Sequence, residues 1–216
     1  MPQVKAIIFD SDGTLFNTFE LIVSAYRYVA KTHSIKPPTI PEIQAQLGRS
    51  LPDIMRTFWP DRDVDELLRT NNDFFALNIV RAAGFDGLEE LLKTLYIHNL
   101  KLAILTSGDG KNTTKLLQYH GFKHYFSSVV SHDRITCPKP DPEGLLLAAK
   151  ECGASPSETI MVGDSVQDVL AGKNSVVRAT IAVTHGYGLA SDLQAVKADY
   201  IVDSLPAVER TILKLI

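Results

Sequence analysis

Two carboxylates, Asp10 and Asp12, follow directly on the apolar run Ala6-Ile7-Ile8-Phe9. Such a run reads as a buried strand. Carboxylates at its end lose hydration and repel each other, which is costly unless a cation joins them. A divalent metal with oxygen ligands meets that need, and Gly13 lets the chain turn sharply afterwards. A plain polar turn would use the same residues with no chemistry. Thr106 and Ser107 end a second apolar run, 102–105. Their hydroxyls could hold phosphoryl oxygens, or could N-cap the next helix. Lys139 stands among Pro138, Pro140 and Pro142. A rigidly held ammonium could neutralise a phosphoryl group, whereas the plain alternative is an exposed loop lysine. Asp164 ends the run 160–162, and Asp168 follows one helical turn later. They are site acids, or else an N-cap and a first-turn acid favoured by the helix dipole.

These residues need strands to position them. Apolar runs at 5–9, 101–105, 127–130, 159–162 and 179–183 predict strands, with 200–202 a weaker sixth. Several lack the alternation of a half-exposed strand, which suits a parallel sheet covered on both faces. Helical patterns at 88–98, 111–119, 143–152, 166–174 and 207–215 lie between them, with Gly121 and Gly153 as stop signals. The alternation predicts an α/β class fold, a doubly wound parallel sheet. One interval is too long. A parallel crossover needs about a dozen residues, and 88–98 already supplies it. Residues 15–83 are therefore an insertion, with helices at 19–32, 51–58 and 64–78 and a break at Pro37, Pro38 and Pro41. The expected domains are a core of 1–14 and 84–216 and a small α-helical cap of 15–83. Ligands of open α/β sheets bind at the carboxyl ends of strands, so the insertion would cover the site. Trp59, Phe58, Phe74 and Phe75 are expected to form its interior.

The order Asp-x-Asp-Gly-Thr, strand-end Thr, Lys-Pro-x-Pro and Gly-Asp-x-x-x-Asp resembles the haloacid dehalogenase superfamily. The insertion after the first motif, Gly84–Gly87 and the loop 184–188 resemble its capped, phosphoglycolate phosphatase-like branch. The resemblance covers essentially the whole chain. It implies a Rossmann-like core and a magnesium-dependent phosphatase. Asp10 would be the nucleophile that forms an aspartyl-phosphate. Asp12 would protonate the leaving oxygen and then activate water. Thr106, Ser107 and Lys139 would hold the phosphoryl group. Asp10, the Asp12 backbone carbonyl and Asp164 would bind Mg2+, with Asp168 orienting Lys139 or a metal-bound water. Arg49, on a cap loop after Gly48, would contact the substrate. Ser11 and Asn17 depart from the usual pattern.

Composition bounds the rest. The chain has 216 residues, a formal charge of -3 and only two cysteines. No basic field is available for nucleic acid or an anionic membrane, and no run approaches a membrane span. The 4–9 stretch is too short for a signal peptide. The expectation is a reduced cytoplasmic protein, monomer or dimer, acting on a small phosphorylated metabolite. A P-loop at 108–112 and a dinucleotide site at 186–188 are rejected on their missing glycines. The rivals are a sugar-phosphate mutase on the same fold, disfavoured by a site open to water, and a non-catalytic binding module.

Overall fold

The computed structural model describes residues 3–216. In chain order the elements are β1 (Ala6–Phe9), β2 (Phe16–Asn17), α1 (Phe19–Thr32), α2 (Ile40–Gln44), α3 (Leu51–Phe58), α4 (Val64–Asn78), β3 (Ala83–Gly84), α5 (Leu88–Ile97), β4 (Lys101–Leu105), α6 (Gly110–Tyr119), β5 (Phe126–Val130), α7 (Glu143–Glu151), β6 (Thr159–Gly163), α8 (Val166–Asn174), β7 (Ala179–Val183), α9 (Ala190–Ala195), β8 (Tyr200–Val202) and α10 (Leu205–Leu213). Short 3-10 turns join some of them.

Six strands form one parallel sheet in the order β5-β4-β1-β6-β7-β8. Apolar side chains cover both of its faces. Ile7, Phe9, Ile104 and Val162 point to the side packed by Leu91, Leu95, Val208 and Ile212 of α5 and α10. Ile8, Ala103, Leu105 and Met161 meet Leu145 and Ala148 of α7 on the other. Each fully buried aliphatic side chain contributes roughly 1.5–3 kcal/mol. The expected doubly wound α/β sheet is therefore present. Successive strands run outward from β1 to β4 and β5, then restart on its other side at β6. The strand order reverses there, and a crevice opens at the carboxyl ends of β1, β4 and β6.

Residues 19–78 hold four helices with an interior of their own. Val23, Tyr26 and Val29 of α1 pack on Ile54 and Met55 of α3, on Leu67 of α4 and on Trp59. Phe58 and Phe75 join this cluster, but Phe74, expected there too, packs against the cluster of the sheet instead, beside Tyr28 with ring centroids 5.1 Å apart. Sequence reasoning passed over α2. Thr39 caps it in a reciprocal box with Glu42, and Pro41 sits in its first turn, where a missing N–H costs little. It also missed α9 and the short antiparallel pair β2–β3, which joins the two strands of chain entering and leaving the helical segment. α10 starts earlier than expected, with Pro206 in its first turn. No described helix is long and apolar enough to cross a membrane. Both cysteines are free thiols, Cys152 buried and Cys137 exposed.

Candidate active site

Asp10 extends the β1 ladder by one bond, its N–H donating to Val162 O at 2.9 Å. Thr106 does the same beyond β4, donating to Val130 O at 2.9 Å. Asp164 follows β6 directly. Strand geometry thus sets these three side chains side by side. Lys139 reaches them from the loop between β5 and α7. Its Nζ donates to Asp10 Oδ1 at 2.7 Å, Asp168 Oδ1 at 2.6 Å and Leu105 O at 3.2 Å. The lysine is 6 % exposed, so it is not a solvated loop residue.

The acids are fixed with equal care. Asp164 Oδ1 accepts from Thr14 Oγ1 at 2.9 Å, and Oδ2 accepts from the Tyr187 N–H at 2.8 Å. Asp168 Oδ2 accepts from the N–H and hydroxyl of Ser165, leaving Oδ1 for Lys139. Ser165, rather than Asp164, is the N-cap of α8. Asp109 likewise caps α6, which leaves Thr106 and Ser107 free of that duty. Asp12 is half-buried on the pocket wall, within hydrogen-bonding reach of Thr18 and Thr106. Ser107 Oγ donates to Gly48 O at 3.1 Å and so ties the core to the helical segment.

Burial and mutual repulsion raise the carboxyl pKa values. Asp10 is pushed well above its ordinary range, first by burial and then by Asp168, Asp164 and Asp12, although Lys139 opposes this. Burial and Asp168 push Asp164 up to about 7. Burial also raises Asp12. Burial pulls Lys139 down, but the charges of Asp10 and Asp168 outweigh it and keep the ammonium charged. Four clustered acids face one ammonium.

Carboxylate oxygens of Asp10, Asp164 and Asp168 lie within 4.8 Å of one another. Buried hard oxygen donors in excess of cations fit a divalent ion such as magnesium. The Asp12 side chain is not in this group, so its expected contribution remains the backbone carbonyl.

The profile of the haloacid dehalogenase-like hydrolases matches residues 7–183. The chain belongs to that family. Pyrophosphatase PpaX of Halalkalibacterium halodurans is 32% identical over 207 residues, covering 94% of each chain. Phosphoglycolate phosphatase of Vibrio vulnificus is 30% identical over 220 residues, covering 94% of this chain and 93% of its own. A hydrolase from Pseudomonas syringae superposes with a TM-score of 0.86 at 25% identity, over 99% of both chains. The protein is therefore an enzyme of the haloacid dehalogenase-like hydrolases, and its relatives are phosphatases.

Sequence reasoning missed several supporting residues of this family site. The Tyr187 hydroxyl accepts from the Thr18 N–H at 2.6 Å and so joins the 184–188 loop to the start of α1. Its backbone can reach Asp164 only because glycines flank it. A Cβ on Gly186 would lie 2.3 Å from Gly13 O, and one on Gly188 2.0 Å from Asp164 O. The paired glycines were the available signal. His185 donates from Nε2 to Thr14 O at 3.0 Å and packs on Phe85. Arg49 lines the pocket, but its guanidinium donates to Gln46 Oε1 and, at 3.3 Å, to Thr57 Oγ1. Cys137 is exposed, and the charge of Asp141 raises its thiol pKa, which leaves it less reactive.

Proposed function

We propose that the protein is a magnesium-dependent phosphatase that hydrolyses a small phosphorylated metabolite through an aspartyl-phosphate on Asp10. The observation that carries this reading is the contact of Lys139 with Asp10 at the end of β1. A phosphoryl oxygen placed beside Asp10 meets that ammonium and the Thr106 hydroxyl. Ser107 lies on the same wall, its hydroxyl available once it leaves Gly48 O.

The step is a displacement at phosphorus. An Asp10 oxygen forms a bond to phosphorus while the bond to the ester oxygen breaks. Asp12, raised in pKa and half-open to the pocket, gives its proton to the departing oxygen. Water then attacks the acyl phosphate, Asp12 takes the water's proton, and Asp10 is released with inorganic phosphate. Asp10, Asp164 and the Asp12 backbone carbonyl would hold magnesium, with Asp168 steering Lys139. Magnesium bound there supplies positive charge that offsets repulsion between carboxylate and phosphate dianion.

The helical segment, residues 15–83, acts as a cap, with β2 and β3 as the two strands of its hinge. Asp12 lines the pocket and is only half-buried, which supports hydrolysis by water over return of the phosphoryl group to a bound bisphosphate. Pyrophosphate and phosphoglycolate, the substrates named for relatives, belong in any first panel. Arg49 would have to give up Gln46 and Thr57 to meet a second anion.

The test is hydrolysis of an aryl phosphate with magnesium, repeated with chelator and in 18O-labelled water. Turnover that needs magnesium and places one label in the released phosphate is expected. Absence of turnover with every phosphate ester would overturn the reading, and so would full activity in chelator.

A further inference from the structure

The part of the pocket away from Asp10 has a chemistry of its own. Ile22 and Tyr26 of α1, Leu51 and Ile54 of α3, and Phe75 of α4 line it. Arg49 is the only cationic side chain among the described residues on this wall, and its guanidinium is engaged within the cap. A second negative charge on a substrate would meet apolar carbon here, with the acids of the floor nearby.

On α4, polar groups interrupt this wall. Leu67, Asn71 and Phe75 recur at helical spacing along the inward face of α4. Asn71 is 2 % exposed, lines the pocket, and its Oδ1 has no hydrogen-bond partner. The neighbouring Asn72 also lines the pocket with a buried, unpartnered Oδ1. Buried polar atoms are nearly always satisfied. An unpaired acceptor on an apolar wall destabilises the free protein, and a ligand donor that reaches it would remove that cost.

We propose that this chamber receives the uncharged, carbon-rich alcohol part of a phosphomonoester, which donates a hydrogen bond from a hydroxyl or N–H to Asn71. The proposal rests on the phosphatase reading and narrows it. Anionic leaving groups, such as those of phosphoglycolate and pyrophosphate, are poor substrates on this account. A hydroxyl serves whichever way the Asn71 amide is turned, because it both donates and accepts.

The experiment compares kcat/KM for three alkyl monophosphates of equal chain length, ending in a hydroxyl, a methyl or a carboxylate, alongside phosphoglycolate and pyrophosphate. The hydroxyl ester should lead, with the methyl ester about two- to tenfold lower, the ratio expected for one neutral hydrogen bond. The three charged substrates should be lower still. In Asn71→Leu the hydroxyl and methyl esters should become equal. The same variant should melt about 2–4 °C higher for each kcal/mol of relieved desolvation, whereas a residue needed only for structure would lower the melting temperature. If Asn71→Leu does not fold, Asn71→Ala replaces it in the kinetic comparison.

A charged substrate equal to or better than the hydroxyl ester would overturn the proposal while leaving the phosphatase reading intact. Retention of the hydroxyl preference in a folded Asn71 variant would overturn the role of Asn71. Failure of all esters with magnesium would remove the phosphatase reading and this proposal with it.

Discussion

On the core side of the pocket, Asp164 and Asp168 use both carboxylate oxygens in hydrogen bonds. On the cap side, Asn71 Oδ1 uses none. The two walls are held differently. The floor hangs from strand ends whose ladder continues into Asp10 and Thr106. The roof is a cluster of helices with an interior of its own, joined to the floor by hydrogen bonds such as Ser107 to Gly48 O and Asn112 to Asn72 O and by Phe74 and Phe75, which also pack on the core. A rigid floor suits a reaction whose geometry must be fixed in advance. A mostly apolar roof suits choice among leaving groups. The comparison predicts that floor substitutions act on every substrate alike, and that roof substitutions act selectively.

The largest effect should come from Asp10→Asn. It preserves shape and removes the proposed nucleophile, so steady-state hydrolysis of any ester should fall by at least about 10⁴-fold. Beryllium trifluoride, which mimics an aspartyl-phosphate, should bind the parent and not the variant. Appreciable turnover by the variant would show that phosphate leaves without passing through Asp10.

Next in size is Asp12→Asn. In the proposed mechanism one group serves both half-reactions, so formation and breakdown of the intermediate should each slow by about 10²–10⁴-fold. The substrate must be an alkyl phosphate, because an aryl leaving group needs little protonation. A loss below about tenfold would return the proton to bulk water.

Lys139→Met tests the floor as a structure. Removing the ammonium leaves Asp10 and Asp168 facing each other across an apolar side chain. Breaking a buried pair in this way costs about 3–5 kcal/mol, read as a shift in the denaturant midpoint measured with chelator present. Magnesium should recover part of the loss by binding only the folded state. A loss under about 1 kcal/mol would mean that the raised carboxyl groups discharge the cluster by holding protons.

The same contrast explains how much was legible beforehand. The parallel sheet was readable because strands such as Ala6–Phe9 and Ala179–Val183 are apolar on both faces. The carboxylates after them were readable because strand ends impose their positions, and the spacing of Asp164 and Asp168 marks a helix start. The partners of those acids were harder to see. Tyr187 reaches Thr18 across 169 residues of sequence, and local periodicity carries no trace of such a contact. Asn71 was hidden for the opposite reason. Periodicity predicts its helix over 64–78, as the structure has it, but a polar residue within an apolar stripe has meaning only once the stripe is known to face a pocket. The capping box of Thr39 and Glu42 was present in the sequence and outvoted by three prolines.

The smallest effect should come from Arg49→Ala, and it sharpens the comparison on the roof itself. Position alone makes Arg49 a natural partner for a second anion, since it follows Gly48 on the loop that meets Ser107. Its guanidinium, however, is spent on Gln46 and Thr57, and Thr57 is exposed. Exposed polar contacts of this kind contribute about 0–1 kcal/mol. Replacing the side chain should therefore change kcat/KM for neutral esters by no more than about threefold. The cost of a lost charge-assisted hydrogen bond is about 1.5–3 kcal/mol, or one to two decades in rate. A loss of that size on phosphoglycolate or pyrophosphate, with neutral esters unaffected, would mean that Arg49 leaves its cap partners and turns inward when an anion enters. The roof would then select by charge as well as by apolar fit, and the neutral leaving group argued from Asn71 would no longer be the preferred one. Equal losses on every ester would instead place Arg49 among the residues that hold the cap loop against the floor.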